Sequence, residues 1–250
     1  MKRSTTPRHR PSKPQPSARA VLARLASLAD PRVRAAMRRF GVLAKKAHGI
    51  SAPVLHRLAR EIGTSHELAG QLWESGVHEA RLLATMIGDP ARVSAAQMER
   101  WARDFDSWDV VDGACCHLFV RAAPAWDKAQ QWPHRKEEFV RRSGFALMAF
   151  LAVHDKQAPD AKFARLLPLI RRYSSDERNF VKKAVNWALR QIGKRNLTLN
   201  HLAIRTAKQI RSMDSRTVRW IAADALRELT SPALQKRLLK KPRAVLRHSK

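Results

Sequence analysis

The chain has 250 residues, of which 49 are lysine or arginine and 21 are aspartate or glutamate, so its formal charge is +28. Its 44% hydrophobic content is enough to bury a full-size core, which excludes a chain that is disordered throughout. The charge argues against an ordinary cytosolic metabolic enzyme. We expect one large domain or an array of small repeats with a polyanionic partner, nucleic acid first and an anionic membrane surface second.

The charge is distributed over both ends and the middle of the chain. Residues 1–20 hold six basic residues and residues 231–250 hold seven, with no acid in either, so +15 remains on the residues between them. We predict a disordered basic arm at 1–18, a folded domain at 19–232 and a basic tail at 233–250. An organellar transit peptide would have the same composition as the arm, and that alternative stays open.

From about Ala18 onward, apolar residues recur at helical spacing, and no strand-like alternation is seen. Helix start and stop signals recur every dozen or so residues, among them Asp30-Pro31, Gly88-Asp89-Pro90 and Ser231-Pro232. The pattern predicts an all-α fold of many short helices joined by short turns.

Some of these helices resemble one another. Phe139–Ser143 recurs as Phe180–Ala184 after 41 residues, and Val181–Arg190 recurs as Val218–Arg227 after 37 residues. Periods near 40 residues with at least two helices each are typical of HEAT-like repeats. We therefore predict an α-solenoid whose concave groove is lined with basic side chains, although chance similarity between amphipathic helices would explain the same pairs.

The cysteines indicate a reducing compartment. Cys115 and Cys116 are the only two, and adjacent cysteines seldom bridge each other. With His117 they form no complete set of metal ligands, so we predict neither a metal nor a cofactor. No stretch is apolar enough for a secretory signal or a membrane span. We expect a cytoplasmic monomer without membrane contact.

The stretch from Phe105 to Asp112 combines acidic and aromatic residues. Ser107 is predicted to cap the helix that follows, which places Trp108 and Asp112 on one face. Asp109 falls in the first turn, where the helix dipole favours a carboxylate. Asp112 has no capping role, so it is either a surface acid paired with a basic residue or a functional carboxylate beside an indole.

A second stretch, residues 180–190, places Lys183, Trp187 and Arg190 on one helical face. An indole among cations is typical of a nucleic-acid surface, although a cation–π pair without a ligand is the alternative. The cations predicted to contact DNA phosphates are Arg141, Arg171, Arg172, Lys182, Lys183, Arg190, Lys194 and Arg195.

These motifs together resemble the DNA alkylation-repair glycosylases of the AlkD type. The resemblance rests on WDVVD at 108–112, the Arg141-Arg142 pair before an apolar helix, KAVNWALR at 183–190 and EARLLAT at 79–85, and it extends from roughly Met37 to Leu229. It implies a HEAT-like solenoid that holds duplex DNA and excises cationic N3- or N7-alkylpurines, in a bacterial, nucleoid-associated setting.

The resemblance also implies roles for individual residues. Asp112 would be the catalytic carboxylate, Trp108 and Trp187 would line the lesion site, and Arg142 would lie close by, with Arg141 as the alternative at that position. A single carboxylate suits a leaving group that is already cationic, because that group needs no protonation by a second acid. Whether the base leaves the stack stays open.

Two other functions fit the same composition. A non-catalytic HEAT-repeat protein would bind DNA without releasing any base. An RNA-binding solenoid would have a similar charge, and competition between duplex DNA and structured RNA would distinguish it.

Overall fold

A computed structural model describes residues 15–240, which form fifteen α-helices and no β-strand. Short 3₁₀ turns lie at Pro90–Arg92, Phe119–Arg121 and Trp132–His134, and a π-helical turn at Ala114–Leu118 directly follows α7. The prediction of an all-α fold is confirmed. The helices are α1 (Ala18–Ser27), α2 (Pro31–Arg39), α3 (Ala52–Ile62), α4 (His66–Glu74), α5 (His78–Ile87), α6 (Ala95–Arg103), α7 (Trp108–Gly113), α8 (Ala125–Gln131), α9 (Glu138–His154), α10 (Asp160–Ala164), α11 (Leu167–Arg172), α12 (Asn179–Gly193), α13 (Leu197–Arg211), α14 (Arg216–Leu229) and α15 (Pro232–Leu239).

Local sequence explains where several helices begin. The Asp30 carboxylate accepts the backbone N–H groups of Arg32 and Val33, and Pro31 occupies the first position of α2. Asn196 caps α13 and Ser215 caps α14 in the same way. These side chains satisfy backbone donors that the first helical turn leaves unpaired.

The sequence repeats fall on three long helices, α9, α12 and α14. Helix α9 packs against α12, and α12 packs against α14. Phe139 and Phe180, which are equivalent in the repeat alignment, have ring centroids 5.5 Å apart. Equivalent helices that pack side by side are characteristic of a helical-repeat solenoid.

Side-chain hydrogen bonds of two buried tryptophans join helices that lie about 30 residues apart in the chain. The Trp73 indole N–H donates to Asp104 at 2.8 Å, 31 residues away. The Trp132 indole N–H donates to Glu99 at 2.8 Å, 33 residues away. Trp73 also stacks on Trp101 with ring centroids 4.0 Å apart. These buried indoles hold successive helix pairs in register.

A continuous cluster of buried apolar side chains extends from Val21 to Leu238. It accounts for the hydrophobic content of the sequence and confirms that the folded part buries a full-size core. None of the helices in residues 15–240 is long and apolar enough to cross a membrane.

The helical part extends beyond the predicted C-terminal boundary. Helix α15 begins at Pro232, and its Leu234 and Leu238 side chains are buried, so the prediction of a tail from residue 233 is wrong for these residues. Proline is favoured in the first turn of a helix, and Ser231-Pro232 is a start signal as well as a stop signal. Residues 1–14 and 241–250, which hold most of the predicted arm and tail, lie outside the described residues.

Gly144 in α9 allows a close approach that gives a first testable prediction. A Cβ atom there would lie 2.4 Å from Pro133 Cδ and 2.8 Å from Pro133 N. Gly144→Ala should therefore push α9 away from the turn at Trp132–His134 and lower the free energy of unfolding by about 1–3 kcal/mol, measured by urea denaturation. The control is Gly70→Ala in α4, where nothing lies within 4 Å, and it should be stabilising by up to about 1 kcal/mol. Equal destabilisation of both variants would contradict the packing argument.

Candidate functional site

An ion pair between Asp112 of α7 and Arg142 of α9 lies at the centre of the site. Arg142 Nη2 donates to Asp112 Oδ1 at 2.9 Å and to Oδ2 at 2.8 Å, and Arg142 Nε donates to Oδ1 at 3.2 Å. The remaining nitrogen, Nη1, donates to the Phe180 carbonyl at 2.7 Å. Arg142 is only 6% exposed. The guanidinium therefore holds the carboxylate and the first turn of α12 at the same time.

A pocket of about 330 Å³ opens beside this pair. The Trp108 indole N–H donates to the Phe40 carbonyl at 2.9 Å, and the half-buried Trp187 meets the edge of Phe150 with ring centroids 4.9 Å apart. Lys183 is exposed at the rim. The pocket is lined by Phe40, Trp108, Arg142, Phe180, Lys183 and Trp187.

A second cavity, of about 450 Å³, shares Trp108 with this pocket. Asp112 is among the residues that line the second cavity, and it is not among those that line the first. Most of the other lining side chains of the second cavity are apolar. The resemblance implied a single lesion site formed by four residues. In the structure, Trp108, Arg142 and Trp187 line the first pocket, and Asp112 lines the second cavity. The ion pair between Asp112 and Arg142 connects the two.

The protonation of Asp112 reflects two opposing influences. Burial raises the pKa of the Asp112 carboxyl above its ordinary value, and the guanidinium of Arg142 counteracts part of that rise. In its ionised form the group is a negative charge held in place by hydrogen bonds. Such a charge can stabilise a cation that develops near it.

The structure adds a histidine that the sequence did not predict. His78 Nε2 lies 2.9 Å from Asp109 Oδ2, and the histidine side chain is 1% exposed. Burial favours the neutral imidazole, but the hydrogen bond and charge of Asp109 outweigh it and raise the pKa of His78. Burial likewise opposes the charge on Asp109, yet His78 lowers the pKa of that carboxyl. Asp109 therefore has a long-range partner as well as its place in the first turn.

Glu79, part of the EARLLAT segment, is a second structural acid. Its fully buried carboxylate accepts the backbone N–H groups of His48, Gly49 and Ile50, with the shortest distance 2.6 Å at Gly49. Gly49 has a positive φ of 84°. A Cβ atom there would lie 2.3 Å from the Asp30 carbonyl oxygen, so only glycine fits this turn. Glu79 thus anchors the segment that leads into α3.

Three of the predicted phosphate contacts are engaged in ion pairs within the chain. Arg141 pairs with Asp176 at 2.7 Å, so Arg142 and not Arg141 holds Asp112. Arg190 and Lys194 both pair with Glu228, at 2.6 and 2.7 Å. In this structure each of these three cations has a carboxylate partner, so contacts with DNA phosphates would compete with these ion pairs, and their roles as DNA contacts stay predictions.

Arg195 is also engaged within the fold. Its guanidinium donates to the Ala152 carbonyl at 2.7 Å and lies 4.0 Å from the centroid of the Phe163 ring. These contacts tie the turn after α12 to α9 and α10, and the role of Arg195 as a DNA contact stays a prediction.

The other predicted contacts remain accessible. Lys183 lies at the rim of the pocket lined by Trp108 and Trp187, called the tryptophan pocket below. Lys182 and Lys183 also line a further pocket, together with the exposed Trp220. Arg171 and Arg172 are exposed around another pocket. None of these four cations forms an ion pair with another residue of the described range 15–240.

The cysteines have no metal partners. Cys115 is buried, and burial raises the pKa of its thiol well above the ordinary value, which makes it unreactive. Across residues 15–240 there is no group of three or more histidine, cysteine, aspartate or glutamate side chains that could hold a metal ion.

The helical repeats define this protein as a HEAT-like repeat protein. Its candidate site is a pocket lined by Trp108 and Trp187 together with basic residues. The model of the DNA alkylation repair enzyme family matches residues 21–229, and the chain therefore belongs to that family. This membership places the protein in DNA repair, with DNA as its partner.

A comparison with solved structures supports the fold. One similar structure is described as "a new family of proteins related to the HEAT-like repeat DNA glycosylases with affinity for branched DNA structures". It shares 19% sequence identity with a TM-score of 0.69, and the match covers 83% of this chain and 93% of that one. The comparison with curated proteins finds no significant match. At this identity the structural similarity confirms the HEAT-like fold alone.

The pair formed by His78 and Asp109 predicts a pH dependence of folding stability. The raised pKa of His78 contributes stability below its unfolded-state pKa, and this contribution is lost as the pH rises through the folded-state value. Asp109→Asn removes the charge that causes the rise. It should lower the free energy of unfolding at pH 6 by about 1–3 kcal/mol and flatten the decline in stability as the pH rises above the ordinary histidine pKa, measured by urea denaturation.

The control is Asp127→Asn on α8, which should leave that pH profile unchanged. An Asp109→Asn variant with the parental profile would show that the histidine does not gain a proton on folding.

Proposed function

We propose that this protein is a DNA glycosylase that binds duplex DNA and hydrolyses the N-glycosidic bond of cationic N3- and N7-alkylated purines. The observation that carries the proposal is the partly buried Asp112 carboxylate, held by the buried Arg142 where two cavities share Trp108. The family supplies DNA alkylation damage as the context.

A lone carboxylate suits this chemistry. The alkylated purine already carries a positive charge, so the glycosidic bond breaks without a general acid to protonate the base. As the bond lengthens, positive charge develops on the deoxyribose. The Asp112 carboxylate stabilises that charge and orients the water that attacks the sugar carbon, which is the electrostatic form of catalysis. The purine leaves as a neutral base, and the attacking water gives up one proton to the carboxylate or to solvent.

The two tryptophans complement the carboxylate. Trp108 and Trp187 present indole rings to the pocket, and the faces of indole rings attract cations. They also offer flat apolar surfaces against which a deoxyribose can rest while Lys183 at the rim contacts a phosphate. Arg142 is a positioning residue in this scheme, since it holds Asp112 and limits the rise in its pKa.

The accessible cations provide affinity that is independent of sequence. Lys182, Lys183, Arg171 and Arg172 are the phosphate contacts that we retain. Each phosphate neutralised contributes about −0.9 to the slope of log affinity against log salt concentration, so binding weakens steeply as salt rises.

A second candidate function is a DNA-structure binding protein without catalysis. Two observations favour it: both carboxylate oxygens of Asp112 are engaged by Arg142, and the similar solved structure is described by its affinity for branched DNA. Such a protein would bind branched DNA more tightly than linear duplex and would release no base from methylated DNA.

Asp112→Asn tests the catalytic assignment. Asparagine keeps the size of the side chain and one hydrogen bond to Arg142 but loses the charge, so release of 7-methylguanine from methylated duplex should fall by at least ~10²-fold under single-turnover conditions. Duplex affinity should be unchanged or slightly higher. The control, Asp214→Asn, changes a fully exposed carboxylate and should release the base at the parental rate. Parental rates in both variants would remove Asp112 from the mechanism.

Arg142 is tested by the pH dependence of base release. The rate should fall on the acid side as Asp112 becomes protonated, and the midpoint should lie above the ordinary carboxyl pKa because burial raises it. Arg142→Gln removes the cation that opposes this rise, so the acid limb should move to higher pH. Arg142→Lys keeps the charge and should move it less.

Spontaneous depurination is subtracted at each pH, and both variants are checked for cooperative unfolding. A purely structural role for Arg142 would reduce the rate without moving the acid limb.

A further inference from the structure

The turn after α2 exposes two large apolar side chains. Phe40 is 71% exposed and Leu43 is 74% exposed, whereas most large hydrophobic residues of the described range are buried. Phe40 is also one of the residues that line the pocket with Trp108 and Trp187. Single exposed apolar residues are common on protein surfaces, so the position of Phe40 in the lining of the pocket is what makes it a candidate contact for a ligand.

The backbone under Phe40 is firmly anchored. Its carbonyl accepts the Trp108 indole N–H at 2.9 Å, and the Val42 N–H donates to the Met37 carbonyl at 3.1 Å. Gly41 has a positive φ of 79°, and a Cβ atom there would lie 3.0 Å from the Phe180 ring. The Phe40 side chain is therefore exposed from a well-supported turn, at a defined position relative to Trp108.

The charge around this turn identifies the partner. Arg38, Arg39, Lys45 and Lys46 are all exposed, and none forms an ion pair with another residue of the described range. An aromatic side chain flanked by four accessible cations complements a polyanion that also offers apolar surface. DNA has both, in its phosphates and in its stacked bases.

We propose that Phe40 is a wedge that contacts the DNA base stack beside the nucleotide held at Trp108 and Trp187. The inference rests on the proposed function only in taking DNA as the ligand of the pocket. Proteins that insert apolar side chains between base steps unstack them and bend the duplex, with flanking cations holding the phosphates. Phe40 would thus loosen the stack at the lesion and help select damaged purines.

The test uses duplexes that carry an abasic-site analogue with 2-aminopurine as the neighbouring base, because 2-aminopurine becomes brighter when it is unstacked. The parent protein should increase this fluorescence on binding, and Phe40→Ala should lose most of the increase. The substitution spares the backbone carbonyl that accepts the Trp108 N–H, so the site remains assembled. The matched control is Leu239→Ala in α15, which truncates a side chain of equal exposure and should behave as the parent does.

Kinetics provide a second readout. Loss of one base–aromatic contact should lower the single-turnover efficiency for 7-methylguanine release by about 10-fold, and Phe40→Tyr should restore it. The proposal that Phe40 is a wedge is wrong if the parent causes no fluorescence change, or if Phe40→Ala matches the parent in both measurements. A Phe40-dependent fluorescence change without any base release would retain the wedge and overturn the glycosylase assignment instead.

Discussion

The partly buried ion pair between Asp112 and Arg142 is the interaction on which the site depends. It joins α7 to α9, and the third hydrogen-bonding direction of the guanidinium reaches the start of α12 at Phe180. Trp108 lies on α7 and Trp187 on α12, so this one arginine contacts both helices that carry the two indoles. Breaking a fully buried pair typically costs about 3–5 kcal/mol, because it leaves a charge buried without a partner, and Arg142 is the buried member here. The catalytic proposal and the architecture therefore rest on the same contact.

The basic residues of the described range fall into two groups in the structure, those with a carboxylate partner and those without one. One group is used for assembly: Arg141, Arg190 and Lys194 pair with carboxylates of neighbouring elements. The other group, which includes Lys182 and Lys183, forms no ion pair within residues 15–240. The chain has few acidic residues, and many of them pair with cations that hold the repeats together. The cations without a carboxylate partner are left to attract DNA.

Much of the fold was predictable from the sequence because helical periodicity, caps and repeats are local signals. The copies beginning at Phe139 and Phe180, and at Val181 and Val218, fall on α9, α12 and α14. The position of α15 was missed because Ser231-Pro232 serves equally well as a stop and as a start. Helix spacing also anticipated that Trp108 and Asp112 share a short helix.

The partners of the site residues could not be predicted in the same way. Whether Arg141 or Arg142 faces Asp112 depends on the rotation of α9 relative to α7, which is set by packing such as the approach of Gly144 to Pro133. The pairing of His78 with Asp109 and the engagement of Arg190 by Glu228 join residues 31 and 38 apart, so no local pattern reveals them. The sequence likewise contained no indication that the turn at Phe40 contacts Trp108, which is 68 residues away.

The central claim is that this site breaks a glycosidic bond and does more than hold DNA. The most direct measurement incubates the parent protein with a duplex containing one 7-methylguanine and quantifies the free base and the abasic sites together. The account predicts equal amounts of both, formed faster than spontaneous depurination at neutral pH. Recovery of the intact methylated duplex from a saturated protein–DNA complex would contradict it.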